Sequence, residues 1–386
     1  MKGLGKALKN TDKILLMITI GLFVFGLLNI VTASSQVSVI RYSSSLYNYF
    51  VKQLVILVAG TVLSCFIITI PTKSYKLLGV IAFVGIAGLS VAVSLYGNNY
   101  SGNQNWISIF GFMFQPSEFA KPVVIVCLAM LFEQFYHKLR TKGIDHYSMI
   151  AIILFVGCFF PAIIFMQHDL GTMLVIAAIF GCLFLASPIL RTEKFKMLLL
   201  LGIIIMISGF FLIANAGKVF TNAQASRFHF FDPCSDYEKG GYQICNGFIA
   251  INSGGLLGVG IGNSKQKSYI PESHTDSVFA IIGEEYGLLV TSFILFLYIV
   301  ILYRILRIAS LSKTIRGQYI CFGIAIYLFL HILINLGGLF GLMPLTGIPL
   351  PFLSYGGSFT LALVLSLAIV QRVHIEYLNS KKVHKR

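Results

Sequence analysis

The segment YIPESHTDSVFAIIGEEYG crowds Glu272, His274, Asp276, Glu284 and Glu285 at the mouth of one apolar run, in a chain that has only 14 acids. Acids held near a bilayer cost free energy and tend to mark function. Asp276 sits where polar loop gives way to apolar helix, so partial burial would raise its carboxyl pKa toward the range useful to a general base. The same position suits an N-cap on the following helix, and the two roles are compatible. Glu272, His274 and Asp276 alternate at spacing two, which would aim them together at a divalent cation; without further ligands a solvated strand is the simpler reading.

Other groups point to chemistry or to its support. The glycines of SGGLLGVGIGNS, Ser253 to Ser264, either bring backbone close to a phosphate or serve turns and tight helix packing. No strand precedes them, so they make a poor nucleotide fingerprint. In WISIFGFMFQPSEFAK, Pro116 suits a helix start, and Glu118 and Lys121, three apart, share one helical face and can pair. An ion pair inside a span reads first as a brace between helices. QHDLGT sets Asp169 in a tight turn between two apolar runs, where it suits the cap of the second. Asn335 opens NLGGLFGLMPLTGIPLPFLSYGGS, whose helix breakers at membrane depth require packing against protein or a cavity. Ser354 and Ser358 offer hydroxyls there, to a ligand or to local backbone. Five of seven cysteines lie in apolar runs, but Cys234 and Cys245 bracket PCSDYEKGGYQIC, where a disulfide and two free thiols are the alternatives.

The elements that must position these groups are membrane helices. The chain of 386 residues is 57% hydrophobic and 11% charged, with a mean hydropathy of +0.85, a balance no soluble globule of this size shows. Its charges fall mainly between apolar runs of ~20 residues, the length a helix needs to cross a bilayer. The runs predict about ten spans, near 14 to 34, 52 to 70, 77 to 96, 118 to 135, 148 to 166, 170 to 187, 197 to 216, 277 to 303, 318 to 340 and 358 to 371. The first is too long, and too bulky at its end, for a cleaved signal peptide. With the amino terminus inside, 21 of the 29 lysines and arginines fall on the cytoplasmic side, so both termini are expected there. The fold class expected is all-α: one polytopic domain over 1–386, with an extracellular loop at 217–276 between the seventh and eighth spans and a basic cytoplasmic tail at 372–386. The net charge of +15 is then a topology signal and a contact with anionic lipid; no basic stretch interleaved with aromatics points to nucleic acid.

Six motifs in order, QPSEFAK, QHDLGT, RFHFFDP with GGYQ, SGGLLGVGIGNSKQK, PESHTD with IIGEEYG, and PLTGIPLPFLSYGGS, resemble the SEDS proteins of bacterial cell-wall synthesis, the FtsW, RodA and SpoVE group, along essentially the whole chain. The PESHTD form is more similar to FtsW and SpoVE, which favours division or sporulation over elongation. The resemblance implies a peptidoglycan polymerase of the bacterial cytoplasmic membrane that joins lipid II units on the outer face and releases undecaprenyl pyrophosphate. It places the catalytic acid on Asp276, the Glu and Lys pair on Glu118 and Lys121, and the acid of the QPDLGT motif on Asp169. Substrate or pyrophosphate contacts would fall to Arg227, Lys265, Lys267, His274 and Ser354, with a divalent cation, Mg²⁺ or Mn²⁺, as a further candidate and no organic cofactor. The partner implied is a class B penicillin-binding transpeptidase, with other divisome membrane proteins around it.

The chain departs from the pattern at three points. Asn105 stands where Arg is usual before Trp106, His168 where Pro is usual in QPDLGT, and Ser277 where Phe is usual after the catalytic acid. Two competing readings are a lipid II flippase and a scaffold that only positions the transpeptidase. A flippase should expose a charged path through the bilayer, whereas the acids and bases here gather at its outer side.

Overall fold

A computed structural model of the chain describes residues 2–36, 47–100, 103–109, 112–141, 144–197, 199, 232–235 and 241–383. Among them, seven helices are long and apolar enough to cross a membrane. Six of these are α2 (Lys13–Gln36), α3 (Asn48–Thr69), α7 (Ile144–Met166), α10 (Val278–Leu311), α11 (Ile315–Leu339) and α12 (Gly357–Val383). The seventh is α4 (Tyr75–Tyr96) with the short turn before it. Two more coincide with expected spans: α5 (Pro116–Gln134), which carries the Glu118 and Lys121 charges, and the shorter α8 (Leu170–Ala186). The span expected near 197 to 216 lies almost wholly outside the described residues. Short helices α1 (Lys2–Lys9) and α6 (Tyr136–Arg140), and α9 (Tyr242–Gly254), complete the helices used below.

Three local outcomes differ from the sequence reading. Between α4 and α5 the chain forms an antiparallel meander, β1 (Asn98–Tyr100), β2 (Asn103–Ile109) and β3 (Phe112–Phe114), with Ile107 opposite Phe114 and Ile109 opposite Phe112. The segment expected as a basic tail from 372 continues α12 to Val383, where Arg372 bonds Glu376 and the Ile68 carbonyl. A helix persists there because its last turns still have partners. Within the expected loop 217–276 a helix, α9, packs against α10, and of the two alternatives for Cys234 and Cys245 the disulfide is the one formed.

Apolar surface alone cannot sort helices that sit in lipid, so packing and polar contacts must. In α12, 67% of the apolar window is buried, against 17% for the α4 span, whose Leu77, Val80, Ile81 and Val84 point outward. The core therefore lies among α5, α8, α10, α11 and α12. Side-chain hydrogen bonds tie the periphery to it: Gln53 Nε2 donates to Thr360 Oγ1 at 2.8 Å, and Gln167 Nε2 to the Ser90 carbonyl at 2.9 Å. Asp12 pairs with Arg304 of α10, and its backbone N–H donates to Gln371 Oε1 of α12 at 2.7 Å. These contacts put both described chain ends on one face, with the head of α10 on the other.

Candidate active site

The PESHTD segment is a run of turns. Glu272 takes a left-handed φ of 55°, and Thr275 N–H donates back to its carbonyl at 3.0 Å. The expected strand is absent because a three-residue alternation carries too little pairing to hold one. Asp276 ends the turns, and Ser277, with no side-chain cap bond, occupies the N-cap position that the sequence offered to Asp276. Burial leaves Asp276 8% exposed. Its Oδ1 accepts from Gln243 Nε2 of α9 at 3.2 Å, with Thr275 and Ser277 hydroxyls at 3.4 and 3.5 Å. Its Oδ2 faces Gly347, where a Cβ would stand 4.0 Å away.

The breaker-rich segment after α11 wraps this carboxylate. Asn335 Nδ2 donates to the Asp276 carbonyl at 2.7 Å and the Ile348 carbonyl at 2.8 Å, joining the two segments. Tyr298 of α10 donates to the Pro351 carbonyl at 2.6 Å, and Ser354 Oγ accepts from Leu350 N–H at 2.8 Å. Ser354 thus serves local backbone, and Ser358 Oγ accepts from Gln115 N–H. Asp169 Oδ1 caps α8 by accepting from Thr172 N–H at 3.1 Å. Its Oδ2 accepts from Asn105 at 2.7 Å and Gln115 at 3.2 Å. The amide at 105 therefore takes a neutral hydrogen bond to this acid where a guanidinium would bring charge. Gly171 of the same turn lies against Thr346, so the QHDLGT turn also touches the wrapping segment.

A third support comes from the membrane interior. Lys121 Nζ sits 2.7 Å from Glu118 Oε1 and 3.0 Å from His331 Nε2, and His331 Nδ1 lies 3.2 Å from the Pro349 carbonyl. Lys121 and His331 are fully buried, and the His331 ring stacks on Phe359. The pair is a brace, as its spacing implied, extended by a histidine that the sequence reading passed over. A lone ionisable residue inside an apolar run was the available signal.

The glycine-rich stretch meets protein backbone. Val259 and Gly260 N–H donate to the Glu284 and Glu285 carbonyls at 2.9 and 3.0 Å, beside a kink in α10 at Gly287. Gly258 and Gly287 have φ of 82° and 76°, and a Cβ on either would collide with the other strand of this contact. Glu284 accepts from Ser264 Oγ and from the N–H groups of Lys265 and Gln266, which fixes the turn bearing Lys265 and Lys267. Lys267 Nζ bonds the Gly262 carbonyl at 2.6 Å. His274 is buried between Tyr49 and Tyr355, and that burial pushes its pKa down to about 4. Arg227 lies outside the described residues. Among the described residues no three His, Cys, Asp or Glu side chains converge on a cation.

Comparison with known proteins identifies the family. The family model for FtsW, RodA and SpoVE, described as cell cycle protein, matches residues 13–379. A probable peptidoglycan glycosyltransferase FtsW of Bacillus subtilis is 33% identical, with 98% of this chain and 94% of the relative covered. Stage V sporulation protein E of the same organism is 31% identical over 94% of this chain and 96% of its own. Among solved structures, a chain reported under "Structural coordination of polymerization and crosslinking by a peptidoglycan synthase complex" aligns with a TM-score of 0.74 at 21% identity, covering 95% of this chain and 98% of that one. The rod shape determining protein RodA of Thermus thermophilus aligns at 0.66 and 21%, covering 94% and 96%. The chain belongs to the FtsW, RodA and SpoVE family of multi-pass membrane proteins.

Proposed function

We infer that this chain is a peptidoglycan glycosyltransferase that polymerises lipid II into β-1,4-linked glycan on the outer face of the cytoplasmic membrane, in division or sporulation. The observation that carries the reading is the setting of Asp276, a carboxylate at the head of a membrane helix. Asn335 ties its backbone to the segment 344–356, whose Gly347 stands against Oδ2. The acceptor 4-hydroxyl oxygen attacks the donor's anomeric carbon with inversion as its proton passes to Asp276. The bond from that carbon to phosphate breaks, and the electron pair leaves with undecaprenyl pyrophosphate. Such a base contributes typically ~10²- to 10⁴-fold, and alignment of two membrane-anchored sugars supplies much of the rest. Lys265 and Lys267, on the turn held by Glu284, and Arg227 are the cations proposed to meet the pyrophosphate. The described side chains form no carboxylate cage for Mg²⁺ or Mn²⁺.

The distribution of 21 basic residues toward the face of the termini supports a cytoplasmic location for both ends, with Asp276 outside. A class B penicillin-binding transpeptidase is the proposed partner. The test is to purify the protein with that partner, supply labelled lipid II and compare wild type with Asp276→Ala. Glycan chains are expected from the wild type alone; equal chains from both proteins, or none from either, would sink the reading.

A further inference from the structure

The face opposite Asp276 holds a second concentration of charge. Beyond Ala186, where α8 ends, the chain turns through residues 187–190 into a helical stretch at 191–197. With the end of α6 this encloses a pocket of about 520 Å³, lined by Arg140, Arg191 and Lys194 over Ser187, Pro188 and Ile189. No acidic side chain lines it. The acids nearby are engaged elsewhere, Glu193 with Lys196 at 3.2 Å and Asp145 with Lys138 at 2.7 Å.

Lys194 and Arg140 are held in ways that leave donors for a ligand, and Arg191 is exposed beside them. Lys194 Nζ bonds the Leu185 and Ser187 carbonyls at 2.7 and 2.5 Å, which uses two of its three N–H groups and fixes the ammonium at the rim. Arg140 lies with its guanidinium 4.5 Å over the Tyr136 ring, a contact through its face that does not consume its in-plane donors. Burial, and then the charge of Arg191, lower the Lys194 pKa. Three positive groups thus share one cavity with no counter-charge, and an anion would relieve them.

The rim indicates how the anion arrives. Leu185, Phe195 and Leu199 are exposed beside the basic lining, so apolar and cationic surface meet at one level. That combination suits a headgroup whose acyl chains continue into the bilayer, and basic pockets between membrane helices bind such headgroups. We propose that this pocket binds the phosphate of an anionic phospholipid headgroup in the leaflet on the side of the termini. The proposal is independent of the glycosyltransferase reading and stands or falls without it.

The test uses the full-length protein in detergent, titrated with phosphatidylglycerol, with phosphatidylcholine of the same chains, or with inorganic phosphate, and read by native mass spectrometry and melting temperature. The variant is Arg140→Gln with Arg191→Gln; Lys194 is kept because its carbonyl contacts hold the turn. The control is Arg307→Gln with Lys313→Gln, both exposed on the same face. Phosphatidylglycerol should bind the wild type on the order of 10-fold more tightly than phosphatidylcholine and raise its melting temperature. The pocket variant should lose about 10-fold or more of that affinity, and the control less than about 3-fold. Should the double variant not fold, Arg191→Gln alone should show a loss of about 5-fold. Equal losses in pocket and control variants would mean diffuse basic attraction and overturn the proposal. Equal binding of the two lipids would do the same, as would inorganic phosphate binding as well as the lipid, which would make the site one for a free anion.

Discussion

Glu118 and Asp276 are nearly equally buried, 4% and 8% exposed, yet the protein treats them differently. Glu118 is sealed inside α5 by an ammonium that has no exposed surface, with His331 of the neighbouring helix closing over it. Asp276 ends a turn at the head of α10, takes hydrogen bonds on Oδ1 from Gln243, Thr275 and Ser277, and has Gly347 opposite Oδ2. Burial alone therefore does not separate the two acids. What covers them does: an ion pair closes Glu118, whereas an amide and two hydroxyls meet Asp276.

That contrast can be broken from either side. The largest effect on stability is expected from Lys121→Met, which strands Glu118 in the interior and should cost about 3–5 kcal/mol, seen as a lower melting temperature in detergent. Adding Glu118→Gln should recover most of it. If the double variant is no better than the single one, the pair is not a mutual brace. Gly258→Ala should cost about 1–3 kcal/mol from its left-handed φ alone, besides the collision with the Glu285 carbonyl. A neutral result would mean that the glycine-rich stretch does not rest on α10.

The smallest effect concerns His274. The unfolded imidazole takes up a proton near its ordinary 6.5 and the folded one only near 4, so its contribution to stability is full above 6.5 and lost as pH falls toward 4. Between about pH 7 and about pH 5.5 this group should remove about 1 kcal/mol. His274→Phe should flatten that part of the melting profile, and an unchanged profile would show that His274 takes up its proton equally in the folded and unfolded chain.

Much of this was legible because it is local. Glu118 and Lys121 meet at helical spacing, Asp169 caps the helix it precedes, and Asp276 marks a polar-to-apolar boundary. What could not be read depends on distant partners. Nothing near Asn335 announces that its amide joins the Asp276 and Ile348 carbonyls, and nothing near His331 announces Lys121. The N-cap falls one residue later than the sequence suggested, on Ser277, and Asp276 meets Gln243 of α9, a partner nothing local announces. The basic segment from 372 was set apart from the last span by its charges, whereas α12 runs on through it, with Arg372 bonded to Glu376 and the Ile68 carbonyl.

The most direct measurement is single-turnover conversion of labelled lipid II by Asp276→Asn, in a preparation whose melting temperature matches wild type. The account predicts a loss of roughly 10²-fold or more with little change in stability. Conversion within about 3-fold of wild type would contradict it, because a carboxylate that can be made an amide at so little cost is not the base.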